Sequence, residues 1–193
     1  MIKMLITIMV VLIISILYFN IQYRDMTYIK SDIDDDYYLV RDLKDKQYAC
    51  NMLSKIKSNI LKIVEYVRNN REKYPKMIPY IDQLCSRIKN VIIQESSVNS
   101  HYTSYSVNKG EQIVFCLRTS SFNNNLHDLN LLMYVVIHEM AHVGCPEYGH
   151  TPLFKDIFAF LCYRSIDINV YTKVDFNAQR VEYCGMDITD SII

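Results

Sequence analysis

The chain has 193 residues, half of them apolar, and its 21 Lys and Arg balance its 21 Asp and Glu. That length holds one domain with an appendage but not two full-sized domains. Charge neutrality excludes a whole-molecule attraction to nucleic acid, which is not an expected partner. The skew toward Tyr, Ile, Asn, Lys and Asp, whose codons are A/T-rich, is read as the bias of an AT-rich organism or virus.

In chain order, the stretch from Met4 to Phe19 carries no charge. It lies near the lower limit of about 17 residues for a spanning helix. The following LYFNIQYRD offers no small-residue cleavage site. Residues 1–20 are therefore expected to be an uncleaved transmembrane anchor, with 2–19 in the lipid. The protein would be single-pass, in a host internal or virion membrane. Lys3 on one side against Arg24 and Lys30 on the other leaves its orientation open. Residues 21–39 are expected to form an acidic tether. Its run Asp32, Asp34, Asp35 and Asp36 lacks the glycine and glutamate of a calcium loop and reads as solvated charge.

From Val40 to Asn69 apolar residues recur at three- and four-residue spacing, which predicts a core-facing helix. Leu43, Leu53, Ile56, Ile60, Ile63 and Val67 share its apolar face. Pro79 opens a shorter helix to about Ile88. NVIIQESS, YTSYSV and EQIVFCLR then read as three strands, the last two joined by a hairpin at Asn108-Lys109-Gly110. Asp128 caps a further helix, and Thr151-Pro152 starts another. This order predicts one α+β domain over residues 40–193. None of the six cysteines forms a CxxC pair, which argues against a zinc ribbon or a thioredoxin-type motif. Cys116 and Cys162 lie in apolar runs and are expected as buried free thiols. Cys145 and Cys184, in turn-like surroundings, are the expected disulfide partners.

The helix after Asp128 contains His138-Glu139-Met140-Ala141-His142. Residues four apart stack on one helix face, so both imidazoles can reach one ion about 2.0–2.1 Å from each nitrogen. Glu139, one position round, can reach a water on that ion and act as general base. Gly144 and Pro146 stop the helix, and His150 follows inside GHTPLF. A catalytic zinc site keeps three protein ligands and one open position. Cys145, Glu147, His150 and Asp156 compete for the third place. His150 ranks first because the Thr151-Pro152 start fixes it beside a second helix. Two imidazoles buried on an apolar helix without partners would cost on the order of 1–3 kcal/mol each, which a shared metal removes. His101 and His127 are read as surface residues, and Tyr134 and Tyr148 as packing or hydrogen-bonding residues.

HEMAH followed by GHTPLF, with Phe154 downstream, resembles the zincin metalloproteases of the WLM and SprT-like families. Residues 90 to 190 look like small membrane-anchored metallopeptidases of large nucleocytoplasmic DNA viruses. The resemblance implies a minimal zincin-like domain, in which a small, mostly antiparallel sheet packs on the HExxH helix and further helices. It implies Zn2+ held by His138, His142 and His150, with Glu139 as general base. The activity implied is membrane-anchored endopeptidase action on a protein or peptide laid along an edge strand, expected at Glu111–Leu117. No zinc ribbon or basic patch of the DNA-repair relatives is present. The alternative is a non-catalytic, zinc-stabilised structural or interaction protein of a viral or cellular membrane, with Cys145 closing the site.

Overall fold

The apolar stripe read along residues 53–67 becomes the inner face of α2 (Lys46–Asn69), where Leu53, Ile56, Ile60, Ile63 and Val67 are fully buried. In this computed structural model, residues 2–100, 102–120 and 123–193 are described, the side chains of 19, 20 and 22 excepted. Pro79 stands in the first turn of α3 (Ile78–Ile88). α3, α4 (Leu129–Gly144) and α5 (Pro152–Asp167) pack with α2 around one core. The class is mixed α+β, as expected.

The helix predicted from Val40 begins six residues later. Val40 belongs instead to β2 (Tyr37–Arg41), which pairs antiparallel with β1 (Met26–Lys30). Val40 and Tyr38 bury against the core, so the expected tether 21–39 is largely a β-hairpin docked on α2. Alternation of buried and exposed side chains in YYLVR is a strand signal that the acidic run before it obscures. The acidic residues are surface charges held locally: Asp35 meets Lys30 at 2.8 Å and Asp36 meets Lys57 at 2.7 Å.

The central sheet has the order β3-β5-β4, from β3 (Ile92–Glu95), β4 (Tyr105–Val107) and β5 (Gln112–Phe115). β3 runs parallel to β5 and β4 antiparallel to it. The Asn108-Lys109-Gly110 hairpin is formed as expected. The segment Glu111–Leu117, expected as an edge, contains the middle strand, so its backbone is paired on both sides. The edges of the sheet are β3 and β4. A third hairpin, β6 (Val181–Tyr183) with β7 (Met186–Ile188), turns through Cys184 and Gly185 at φ of 52° and 89°. Strands of three residues with a Cys-Gly turn carry too little pattern to be read in advance.

Cys116 and Cys184 form a disulfide that fastens this hairpin to the end of β5. That corrects two expectations at once, because Cys116 is not a free thiol and Cys145 is not the partner of Cys184. Cys50, Cys85, Cys145 and Cys162 are the free cysteines among the described residues. Beneath the sheet Arg118 donates to Glu95 at 2.7 Å and to Asp45 at 2.7 Å, and the Arg41 backbone N–H donates to Glu95 at 2.8 Å.

α1 (Ile2–Gln22) precedes this body, and its described side chains are exposed. Among the described residues no helix is long and apolar enough to cross a membrane. The expectation of a single-pass membrane protein, anchored in lipid through 2–19, is thereby corrected.

Candidate metal centre

α4 starts where Asp128 Oδ1 accepts the backbone N–H groups of Asn130 and Leu131 at 2.8 and 3.4 Å, the cap expected from sequence. The helix is apolar on nearly all sides and lies between α2, α3, α5 and β4. A helix buried all round is uniformly hydrophobic, which makes His138, Glu139 and His142 the polar exceptions on it beyond its first turn.

The helix ends at Gly144, where a Cβ would come within 3.3 Å of the Tyr80 carbonyl on α3. Cys145 is extended, and Gly149, at a φ of +78°, turns the chain just before His150. Thr151 Oγ1 then accepts the Phe154 N–H at 3.2 Å and Pro152 opens α5. The result is a triangle. The Nε2 atoms of His138, His142 and His150 lie 3.2 Å from one another on every side.

Three imidazole nitrogens converging in this way cannot satisfy one another. A proton aimed at one neighbour leaves the other pair facing lone pair to lone pair. A point about 2.0–2.1 Å from all three nitrogens sees them about 100–106° apart, close to a tetrahedral arrangement. The donor set thus fits a zinc-sized cation with one position open. Burial, reinforced by the other two imidazoles, pushes His138 down to about 3. Burial, His150 and Lys109 push His142 down to about 4. Both rings are therefore neutral near pH 7, the form that ligates metal. Phe154 from α5 stacks on His142 with ring centres 4.2 Å apart and meets His138 edge-on at 5.0 Å. Phe158 meets His138 edge-on at 5.2 Å, so α5 fixes the rings as well as carrying the third histidine to its place.

Glu139 is buried beside the triangle, and burial alone pushes its carboxyl up to about 7. All four residues line one cleft of about 1370 Å³. One wall is β4 with the Asn108-Lys109 turn, and the other is β7 with the following residues to Ile192. Sequence reasoning missed this second wall, because it comes from a segment with no periodicity. Tyr134 holds it: its hydroxyl donates to the Asp190 carbonyl at 3.2 Å and accepts the Ile192 N–H at 3.1 Å. That is the hydrogen-bonding role expected of it. Tyr148 is exposed, with Lys109 Nζ 4.3 Å above its ring.

Of the other residues weighed as third ligand, Cys145 is wholly buried in the core, and Glu147 and Asp156 are exposed. Among the described residues only His138, His142 and His150 form a group able to hold an ion. His101 lies outside the described residues. His127, expected on the surface, is only 6 % exposed and accepts the Cys184 N–H at 3.3 Å. Its burial follows from the disulfide-fastened hairpin folding over it, which no local pattern announces.

No family model matches the chain, and no solved structure matches it. An uncharacterized protein of Acanthamoeba polyphaga mimivirus is 43% identical over 169 residues, covering 88% of this chain and 85% of that protein. An uncharacterized protein of Invertebrate iridescent virus 6 is 36% identical over 83 residues, 42% of this chain and 46% of that protein. One of Invertebrate iridescent virus 3 is 41% identical over 54 residues, 28% of this chain and 33% of that protein. The match to each iridescent virus protein spans less than half of its length. With the mimivirus protein the likeness runs through nearly the whole of both chains, and this chain belongs to the same family of large-DNA-virus proteins.

Proposed function

We propose that the chain is a zinc-dependent endopeptidase of the zincin type that HEMAH and GHTPLF resemble. The observation that carries this reading is the set of three Nε2 atoms 3.2 Å apart with Glu139 beside them in one cleft. His138, His142 and His150 would hold the metal. Bound there, zinc supplies Lewis acidity, lowering the pKa of water toward about 7 and polarising a carbonyl.

Glu139 takes a proton from the attacking water and returns it to the nitrogen of the departing amine. A carboxyl raised to about 7 by burial can both accept and release a proton near neutrality. A nearby cation lowers it again and favours the base form that begins the reaction. The cleft exceeds the about 300–1,000 Å³ usual for small-molecule sites and suits an extended chain. The free edge of β4 offers unpaired backbone groups to such a chain, in place of the segment Glu111–Leu117 first expected. In the rival reading of a non-catalytic structural zinc site, Cys145 is the candidate fourth ligand, and Cys145 is buried outside the triangle.

The test is cleavage of a denatured protein by the zinc-loaded chain, with Glu139→Gln alongside. The variant should retain zinc and lose about 10²–10⁴-fold in rate, the range of general base catalysis. Equal cleavage by the two proteins would overturn the assignment.

A further inference from the structure

His138 and His142 are fixed relative to each other by one turn of helix, but His150 is reached through seven residues, of which only Val143 and Gly144 belong to α4. Five successive carbonyls of that connection are nevertheless held by side chains. Gln83 Nε2 donates to Val143 and Gly144 at 3.1 and 3.0 Å, and Arg87 donates to Val143 at 2.9 Å. The next three are held by one ammonium. Lys109 Nζ donates to the carbonyls of Cys145, Pro146 and Glu147 at 2.9, 2.9 and 3.1 Å, which uses all three of its protons.

The backbone under Lys109 is itself unusual. Asn108, Lys109 and Gly110 have φ of 48°, 51° and 114°, a left-handed run that Asn and Gly adopt readily and lysine rarely. Gly110 is pressed so closely on α4 that a Cβ would lie 2.8 Å from Val143. A turn in this conformation would be satisfied by glycine at 109. What lysine adds is the ammonium, delivered to the loop that joins the second histidine to the third.

We infer that Lys109 is a positioning residue for the metal centre: its ammonium fixes the path of residues 145–147 and so holds His150 in the triangle. This rests on the zinc reading above. All three of its protons go to loop carbonyls, so the ammonium is not a ligand of the metal. Its effect is on how often the third nitrogen is in place, and hence on metal affinity. Outer-shell partners of metal ligands commonly change affinity about 10–100-fold.

Two variants test it, with zinc affinity measured by competition against a chromophoric chelator and thermal unfolding measured on the metal-free proteins. Lys109→Gly suits the left-handed backbone and removes the ammonium. Lys109→Met keeps a side chain of similar length without donors. Both should bind zinc about tenfold or more weakly, and the metal-free Lys109→Gly protein should melt no lower than wild type. Wild-type zinc affinity in Lys109→Met, or a metal-free Lys109→Gly protein that melts well below wild type, overturns the inference while leaving the zinc reading in place. A wild-type chain that holds no zinc overturns both.

Discussion

Glu95 and Arg118, 0 and 2 % exposed, close on each other at 2.7 Å, and Asp45 and the Arg41 backbone add further hydrogen bonds to them. His138, His142 and His150 also bring titratable groups together, but with three Nε2 atoms 3.2 Å apart and no counter-charge among them. The Glu95–Arg118 pair of the first cluster is buried under the sheet, where each charge offsets part of the other's desolvation. The second opens on the cleft. Burial drives His138 and His142 toward neutrality, and only an added cation would satisfy all three nitrogens together. Two polar clusters in one small domain thus separate by a simple criterion. A group whose charges balance internally holds the fold, while three convergent nitrogens with no counter-charge among them are the arrangement on which the proposed zinc site rests.

The largest expected effect breaks the second cluster. His142→Ala should weaken zinc affinity on the order of 100- to 1000-fold, one ligand's share of a zinc-site binding energy. Isothermal titration against the wild type checks this, and unchanged affinity would remove the distinction drawn above. Next, Glu95→Ala leaves Arg118 buried without its partner and should destabilise the fold by about 3–5 kcal/mol in denaturant unfolding. Replacing both with methionine should recover most of that loss. Zinc affinity should stay within about twofold in both variants, since neither residue reaches the triangle.

The smallest effect is a pH slope. Burial lowers the pKa of His127, so the fold favours its neutral ring. Its contribution is complete above the unfolded value of about 6.5 and is lost as pH falls below that toward the lower folded value. Wild type should therefore lose more stability between about pH 6.5 and 5 than His127→Gln does. Taking the difference between the two proteins cancels the titration of the metal histidines, which they share. A slope that is the same in both would place His127 on the surface, where sequence had put it.

The α4 pattern, the Asp128 and Thr151 caps and the Asn108–Gly110 hairpin were legible because each is a device of three to five neighbouring residues. The docking of β1 and β2, the central place of β5, the Cys116–Cys184 bond and the burial of His127 were not. Each depends on a partner from roughly 10 to 70 positions away, and an apolar run reads the same whether its strand lies at an edge or in the middle. The exposed N-terminal helix shows the same limit in another form, since an uncharged run suggested a membrane span, and among the described residues no helix is long and apolar enough to make one.

The sequence by itself determined two vertices of the triangle and the glutamate beside them, because helical periodicity fixes residues four apart without help from the rest of the chain. The third vertex was nameable from its position before a capped helix, but only the tertiary structure brought it to 3.2 Å. That distance depends on Phe154 and Phe158 across α5 and on Gln83, Arg87 and Lys109 along the loop. Those contacts join segments whose separation along the chain carries no periodic signal, so packing alone decided them.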